Sequence, residues 1–403
     1  MIKGVFWVWL TLKKSASPRK ISILLDFFDT AEDIYRSRDY SSVPGIDDNL
    51  SNELMDKDLI QAEKICMIAQ ASGMKILTYD SSYYPKALKE LVDPPYVLYL
   101  KGRIPNWDKS LCIGVVGTRK CTEYGKHATR HICSELGKRE VIIISGMARG
   151  IDSIASEAAL NENGFTIAVL GGGADVIYPP ENIALYNRIV EKGLIISEYP
   201  PGTQPISVHF PERNRIIAGL SRAVLVTQAP EKSGALITAA RALDSGRDVF
   251  AVPGDIFEAE CRGTNILIQQ GAKSVTCAED IICEYPYDRQ FVKKYISYKN
   301  KNAAKKKATK KSLKQRNNKK ASDKKADDIF TKEENIKINR NDIQYENDYE
   351  RLIIEALGSQ MKHADELIRE TGLQAVDLHT SMIMLEMRGI VKSMPGNYFK
   401  MNI

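Results

Sequence analysis

The chain is short of the residues that carry out chemistry. Its seven cysteines (Cys66, Cys112, Cys121, Cys133, Cys261, Cys277, Cys283) are scattered and odd in number, and none forms a CxxC pair. That argues against a zinc site or a disulfide framework and suits a reducing cytoplasm. The five histidines are dispersed. His127 and His131 stand i,i+4 on an expected helix, but no third ligand accompanies them, so no metal is expected. There is no GxGxxG at the first β-α unit, no P-loop lysine signature, no HExxH and no paired-carboxylate motif. Dinucleotide, NTP and hydrolytic sites therefore lack support, and no cofactor is expected. An apolar run near the start, Val5-Phe6-Trp7-Val8-Trp9-Leu10, is too short to span a bilayer. Two lysines follow it and no small-residue cleavage site does, so it reads as a first core helix and no membrane partner is expected.

At 403 residues there is room for two or three domains. The net charge of +6 conceals a division: between Lys293 and Lys325 fifteen Lys/Arg face one acid, Asp323, a local +14 that leaves −8 for the rest. A nucleic-acid site outside that segment must be a local patch on an acidic body.

Residues 1–78 read as a helical, SAM/helix-hairpin-helix-like domain, with helical spacing in Ile21–Phe28 and Leu59–Ile68. Val43-Pro44-Gly45-Ile46 between them suits either a helix-hairpin-helix or a plain interhelical turn. A connecting stretch follows, with Tyr84-Pro85 and Asp93-Pro94-Pro95-Tyr96-Val97-Leu98-Tyr99. Strand-like runs at Leu111–Val116, Val141–Ser145, Thr166–Leu170, Leu194–Ser197, Ala223–Thr227 and Asp248–Val252 then alternate with helix-length amphipathic stretches. That alternation predicts an α/β domain over 79–290, a Rossmann-like, doubly wound and mostly parallel sheet. Residues 291–346 read as a basic disordered linker with too little apolar content to fold. Residues 347–403 read as three helices (Tyr349–Leu357, Ala364–Glu370, Ala375–Arg388) and a strand–turn–strand over Gly389–Lys400, a winged helix. Its third helix carries Asp377, His379 and Glu386 with Arg388 as its only base, which favours protein contact over base reading.

Four turns at expected strand ends carry the functional signal. They contain Gly117-Thr118-Arg119, Ser145-Gly146 with Arg149-Gly150, Phe210-Pro211-Glu212-Arg213-Asn214-Arg215, and Lys232-Ser233-Gly234 through Thr238. Helix N-termini attract anions, glycine admits a phosphate to the backbone, and arginine adds a fork of donors. Several such turns along one sheet edge suit a polyphosphate such as nucleic acid better than a single phosphate. The first turn would hold phosphate on backbone, hydroxyl and Arg119, unless its arginine is merely solvated. Ser145 and Asp152 suit structural roles as cap and first-turn acid, and Arg149 could bind phosphate or hold Asp152. Arg213 and Arg215 project about 200° apart on a helix. Arg213 and Asn214 are therefore assigned to ligand, and Arg215 to a buried ion pair with Glu198. Phe210 could stack on a base or pack in the core. A phosphate cradle without a catalytic group suggests binding, not turnover.

The ordered motifs, together with Phe250-Ala251-Val252-Pro253-Gly254, resemble the bacterial DNA-processing protein A (DprA/Smf) family from about residue 80 to 285. The resemblance implies a cytoplasmic protein, without known catalysis, that binds incoming single-stranded DNA in natural transformation and loads RecA. It implies a homodimer through the Rossmann-like domain, near Asp248–Val252 and Asn265–Gln270. Single-strand-binding protein and other competence proteins are further candidate partners. Family DNA contacts carry over to Gly117, Thr118, Arg119 and the Arg213-Asn214 region; Gly146, Arg149, Phe210, Lys232, Ser233, Gly234 and Thr238 rest on the residues alone. The chain departs from the family pattern at Ser156, often histidine, at Gln228, often glutamate, and in its lysine-rich linker. The competing class is a nucleotide-processing phosphoribohydrolase, whose Pro-Gly-Gly-x-Gly-Thr turn is here replaced by Pro253-Gly254-Asp255-Ile256.

Overall fold

The computed structural model describes residues 4–285 and, with short gaps, 348–401. It divides into two compact units, the first holding the described residues up to Ile282. The expected linker, 291–346, lies outside the described residues.

The first unit opens with five helices, Val5–Thr11, Pro18–Phe27, Ala31–Arg36, Asp48–Met55 and Ile60–Ala71. Their starts are dictated locally: the side chains of Ser17, Thr30 and Asp47 accept from Lys20, Asp33 and Leu50 N–H groups, and Pro18 sits at the first helical position. The early apolar run is buried, with Trp9 and Leu10 at most 1% exposed. Trp7 stacks on Tyr96 at 6.0 Å between centroids, so these helices share one continuous core with a face of the sheet.

The sheet has nine strands: β1 (Lys75–Thr78), β2 (Val97–Gly102), β3 (Cys112–Val116), β4 (Ile142–Ser145), β5 (Thr166–Leu170), β6 (Leu194–Ser197), β7 (Ala223–Val226), β8 (Asp248–Ala251) and β9 (Lys273–Ser274). Their order is β1-β2-β6-β5-β4-β3-β7-β8-β9. Strands β3 to β9 run parallel, while β1 and β2 add antiparallel beyond β6. The six expected strands are all present, buried on both faces as parallel strands must be. The stretch taken as a connection instead contributes β2, with Val97 through Leu100 at most 2% exposed. Lys75–Thr78, taken as the end of the helical domain, is the edge strand β1.

The second unit holds helices Asp348–Leu357 and Ala364–Thr371 and a three-stranded sheet, β10 (Lys362–His363), β11 (Val391–Met394) and β12 (Tyr398–Met401), in the order β10-β12-β11. Ile353, Leu357, Leu367, Leu378, Met382, Leu385, Val391 and Phe399 make its core, and the hairpin pairs Val391 with Met401. Asp377 and Glu386 are helical, whereas His379, Arg388 and the turn at 395–397 lie outside the described residues. The arrangement is a winged helix.

All seven cysteines are thiols. Complete enclosure pushes the Cys133 thiol up to about 12, since burial disfavours the thiolate. With a maleimide at pH 8, exposed Cys283 should label first and Cys133 only after unfolding. Equal labelling of the two in the native chain would contradict the core as described.

Candidate nucleic-acid interface

Strands β3 and β7 are hydrogen-bonded neighbours, yet the chain leaves β3 toward β4 on one side and β7 toward β8 on the other. Ligands of doubly wound sheets sit in the crevice that opens at the carboxyl ends of such a pair. Here the crevice is a cleft of about 570 Å³. Gly117, Thr118 and Arg119, then Phe210, Arg213 and Asn214, and finally Lys232, Ser233, Gly234 and Thr238 line it. The first, third and fourth turns therefore converge. The second contributes only Ala148 and Asp152.

The turn after β3 is clamped from both sides. Thr118 N–H donates to the Gln228 carbonyl at 2.7 Å, and the Thr118 carbonyl accepts from Ile151 N–H at 3.3 Å. A Cβ on Gly117 would lie 2.5 Å from Ile151 and 2.7 Å from the Gln228 carbonyl, so only glycine fits. Thr118 N–H is thus already committed, contrary to the expected backbone cradle at that residue. Its hydroxyl oxygen accepts from Lys120 N–H at 3.2 Å, which leaves the hydroxyl proton for a ligand. Arg119 is exposed and stacks over Phe210, with its Cζ 5.3 Å from the ring centroid. Tyr178 packs on the same ring at 5.6 Å. Phe210 is half-buried between Gly171 and Tyr178, and it presents an aromatic face beside a cation.

The second turn is a foundation. Ser145 does not cap the following helix, which begins at Ile151; its hydroxyl donates to the Val115 carbonyl at 2.7 Å. Gly146 is buried and lies outside the cleft lining: a Cβ there would sit 2.4 Å from an Arg213 nitrogen, so this glycine makes room for an arginine. Arg149 points neither to the cleft nor to Asp152 and instead pairs with Glu181 on the surface.

Arg213 corrects the expected division of labour along the third turn. It lies at the cleft floor but is only 4% exposed, and its guanidinium donates to the carbonyls of Gly146 at 2.9 Å and of Val169. Both bonds come from Nη1, so the guanidinium is anchored at depth rather than standing free at the rim. Burial lowers its pKa to about 10, with the Asp152 carboxylate opposing the shift. Asp152 is itself buried, which raises its pKa, while the Arg213 charge and N–H groups of Ala148 and Gly146 favour its ionised form. One side chain away along the helix, Arg215 donates to both Glu198 oxygens at 2.6 and 2.7 Å. Asn214, between them, is half-exposed at the cleft.

The fourth turn is open. Ser233 caps the helix Gly234–Asp244 by accepting from Ala235 N–H at 3.2 Å. Gly234 is exposed with nothing near its missing Cβ, and Lys232 is exposed beside it. Thr238 is buried below, its hydroxyl bonded to the Gly234 carbonyl at 3.4 Å. Lys120, Tyr178 and Glu260 also line the cleft and escaped the sequence reading. Lys120 adjoins a recognised motif, but nothing local marks Tyr178 or Glu260. Gln228 is fully buried, accepting from Thr122 N–H at 2.9 Å and donating to its hydroxyl at 2.8 Å. An amide does both; a glutamate would not.

A family model described as DNA recombination-mediator protein A matches residues 75–286, and one described as DprA winged helix domain matches 343–397. DNA processing protein DprA of Bacillus subtilis is 46% identical over 214 residues, 53% of this chain and 72% of that protein. Protein Smf of Synechocystis is 39% identical over 285 residues, 69% of this chain and 71% of that protein. The X-ray structure of DprA from Streptococcus pneumoniae superposes with a TM-score of 0.61 at 34% identity, covering 70% of this chain and 99% of that one.

Gly146→Ala should force Arg213 from its two carbonyls. Overpacking of this kind costs about 1–3 kcal/mol, read as a lower urea midpoint at unchanged slope. An unaltered midpoint would show that the guanidinium is not held as described.

Proposed function

The chain belongs to the DNA processing protein A family, and from that premise we propose that it is a recombination mediator that binds single-stranded DNA in the cleft at the β3/β7 crevice. The observation that carries this reading is the convergence there of exposed Arg119, Lys120 and Lys232 with the open N-terminus of the helix Gly234–Asp244. These groups take phosphates by charge and by N–H donors. The aromatic faces of Phe210 and Tyr178 lie beside them, and Ile206, Val208 and Ile237 are exposed nearby in sequence. Phosphate donors next to aromatic and apolar faces suit a strand whose bases are unstacked from a partner, because each base offers a face to stack on. A duplex offers phosphates but keeps those faces covered.

In this proposal the cleft binds and does not turn over its ligand. The chain shields an incoming strand during natural transformation, in the cytoplasm, and presents it for RecA loading. It works as a homodimer through β8 and the helix Arg262–Gln269. Exposure of Ile256 at 72% and Phe257 at 86%, in the loop tied to that helix by Gly254 N–H to Asn265 at 3.1 Å, supports an apolar contact on this side. The winged helix contacts protein.

Anisotropy of a labelled dT20 tests the reading. Arg119→Ala should weaken binding at least tenfold, about 1.4 kcal/mol, and lower the log–log salt slope by about 0.7 for one lost phosphate contact. A matching duplex should bind more weakly than the single strand. Equal affinity for variant and parent, or nucleotide turnover by the purified chain, would contradict it.

A further inference from the structure

A groove more spacious than the cleft lies away from it, at the open edge of the sheet. Its volume is about 830 Å³, against about 570 Å³ for the cleft. Strand β1 has β2 on one side and, among the described residues, no strand on the other. It lies five strands from β3, roughly 24 Å at the usual interstrand spacing. Successive side chains of a strand point to opposite faces, so Lys75 and Leu77 lie on one face and Ile76 and Thr78 on the other. All four line this one groove, which therefore straddles the edge rather than lying on a face.

Among the described residues no strand pairs with the backbone at that edge. Tyr79 N–H donates to the Tyr96 carbonyl at 3.0 Å, next along the ladder from Thr78 opposite Val97. By the alternation of an antiparallel ladder, Leu77 and Lys75 then bond toward β2, while the N–H and C=O of Ile76 and the N–H of Thr78 face outward. Proteins usually blunt such an edge with a very short strand, as the two-residue β9 does at the opposite end.

The groove also has a definite chemistry. Lys75 and Lys89 line it and are exposed, and among its described lining residues there is no Asp or Glu. This is a positive patch in a unit whose sequence is acidic on balance. Tyr83 is 75% exposed on the rim, and Leu100 and Ile104 supply an apolar floor. The Trp107 indole N–H, enclosed in the same wall, meets no acceptor among the described residues, and tryptophan normally finds one when enclosed.

We infer that this edge groove is a docking site for an extended acidic peptide of a partner protein, which adds as a strand alongside β1. The peptide backbone pairs with Ile76 and Thr78. Alternate acidic side chains meet Lys75 and Lys89, and the other side chains rest on the apolar floor. An unpaired sheet edge favours a peptide over a nucleic acid, because only a peptide carries the matching row of N–H and C=O groups.

A fluorescein-labelled peptide of about eight residues, alternating aspartate with valine and phenylalanine, tests this on the full chain. It should bind at least tenfold more tightly than its lysine counterpart. N-methylation of alternate amides should abolish binding, and K75E/K89E should weaken it at least tenfold with the circular dichroism spectrum unchanged. Arg119→Ala should leave it unaltered, which separates this site from the cleft. Equal binding of the two peptides, or indifference to N-methylation, would overturn the inference. Displacement of the peptide by dT20 in the Arg119→Ala chain would overturn it as well, in favour of a second nucleic-acid surface.

Discussion

Beneath the crevice a guanidinium is held out of water, and the shape of the cleft depends on it. An unpaired buried charge is costly, so Arg213 must find acceptors at depth, and it finds the Gly146 and Val169 carbonyls at the ends of β4 and β5. That placement requires the glycine at 146, since a Cβ would occupy the space of the guanidinium. It also explains the buried carboxyl of Asp152, which accepts from Gly146 N–H at 3.2 Å and faces the arginine charge. Three residues from two of the conspicuous turns thus support the floor of the cleft. The turn after β3 rests on the same foundation through Ile151 and is latched to the end of β7 by Gln228.

This division separates committed cations from available ones. Arg213 and Arg215 are both buried on one helix, the first turned to strand ends and the second to Glu198 and, at 3.5 Å, Asp93. Arg149 is matched by Glu181. Arg119, Lys120 and Lys232 remain exposed at the rim. The exposed cations of the cleft are therefore a small set carried on a buried floor.

Much of this was legible in residue order, and the failures have physical causes. The six parallel strands announced themselves as apolar runs followed by turns. Strand β2 did not, because Val97–Leu100 follows two prolines and no helix-length stretch separates it from β3, so it read as connection. Strand β1 is four residues long and β9 two, and both are defined by their pairing. Helical periodicity rightly sent residues 213 and 215 to different sides, but spacing carries no information on depth. A buried arginine and an exposed one look alike in a motif, and the same ambiguity made Gly146 look like part of a phosphate cradle. The Arg215–Glu198 pair could be written down beforehand because both elements, strand end and helix, were placed correctly.

Hydrogen–deuterium exchange of the full chain, with and without dT20, tests the central claim most directly. The account predicts ligand-dependent protection at residues 117–120 and at the start of the helix Gly234–Asp244, with the β4 end around Gly146 already protected in the free chain. Protection confined to residues 348–401, or none at the β3 and β7 ends, would contradict it.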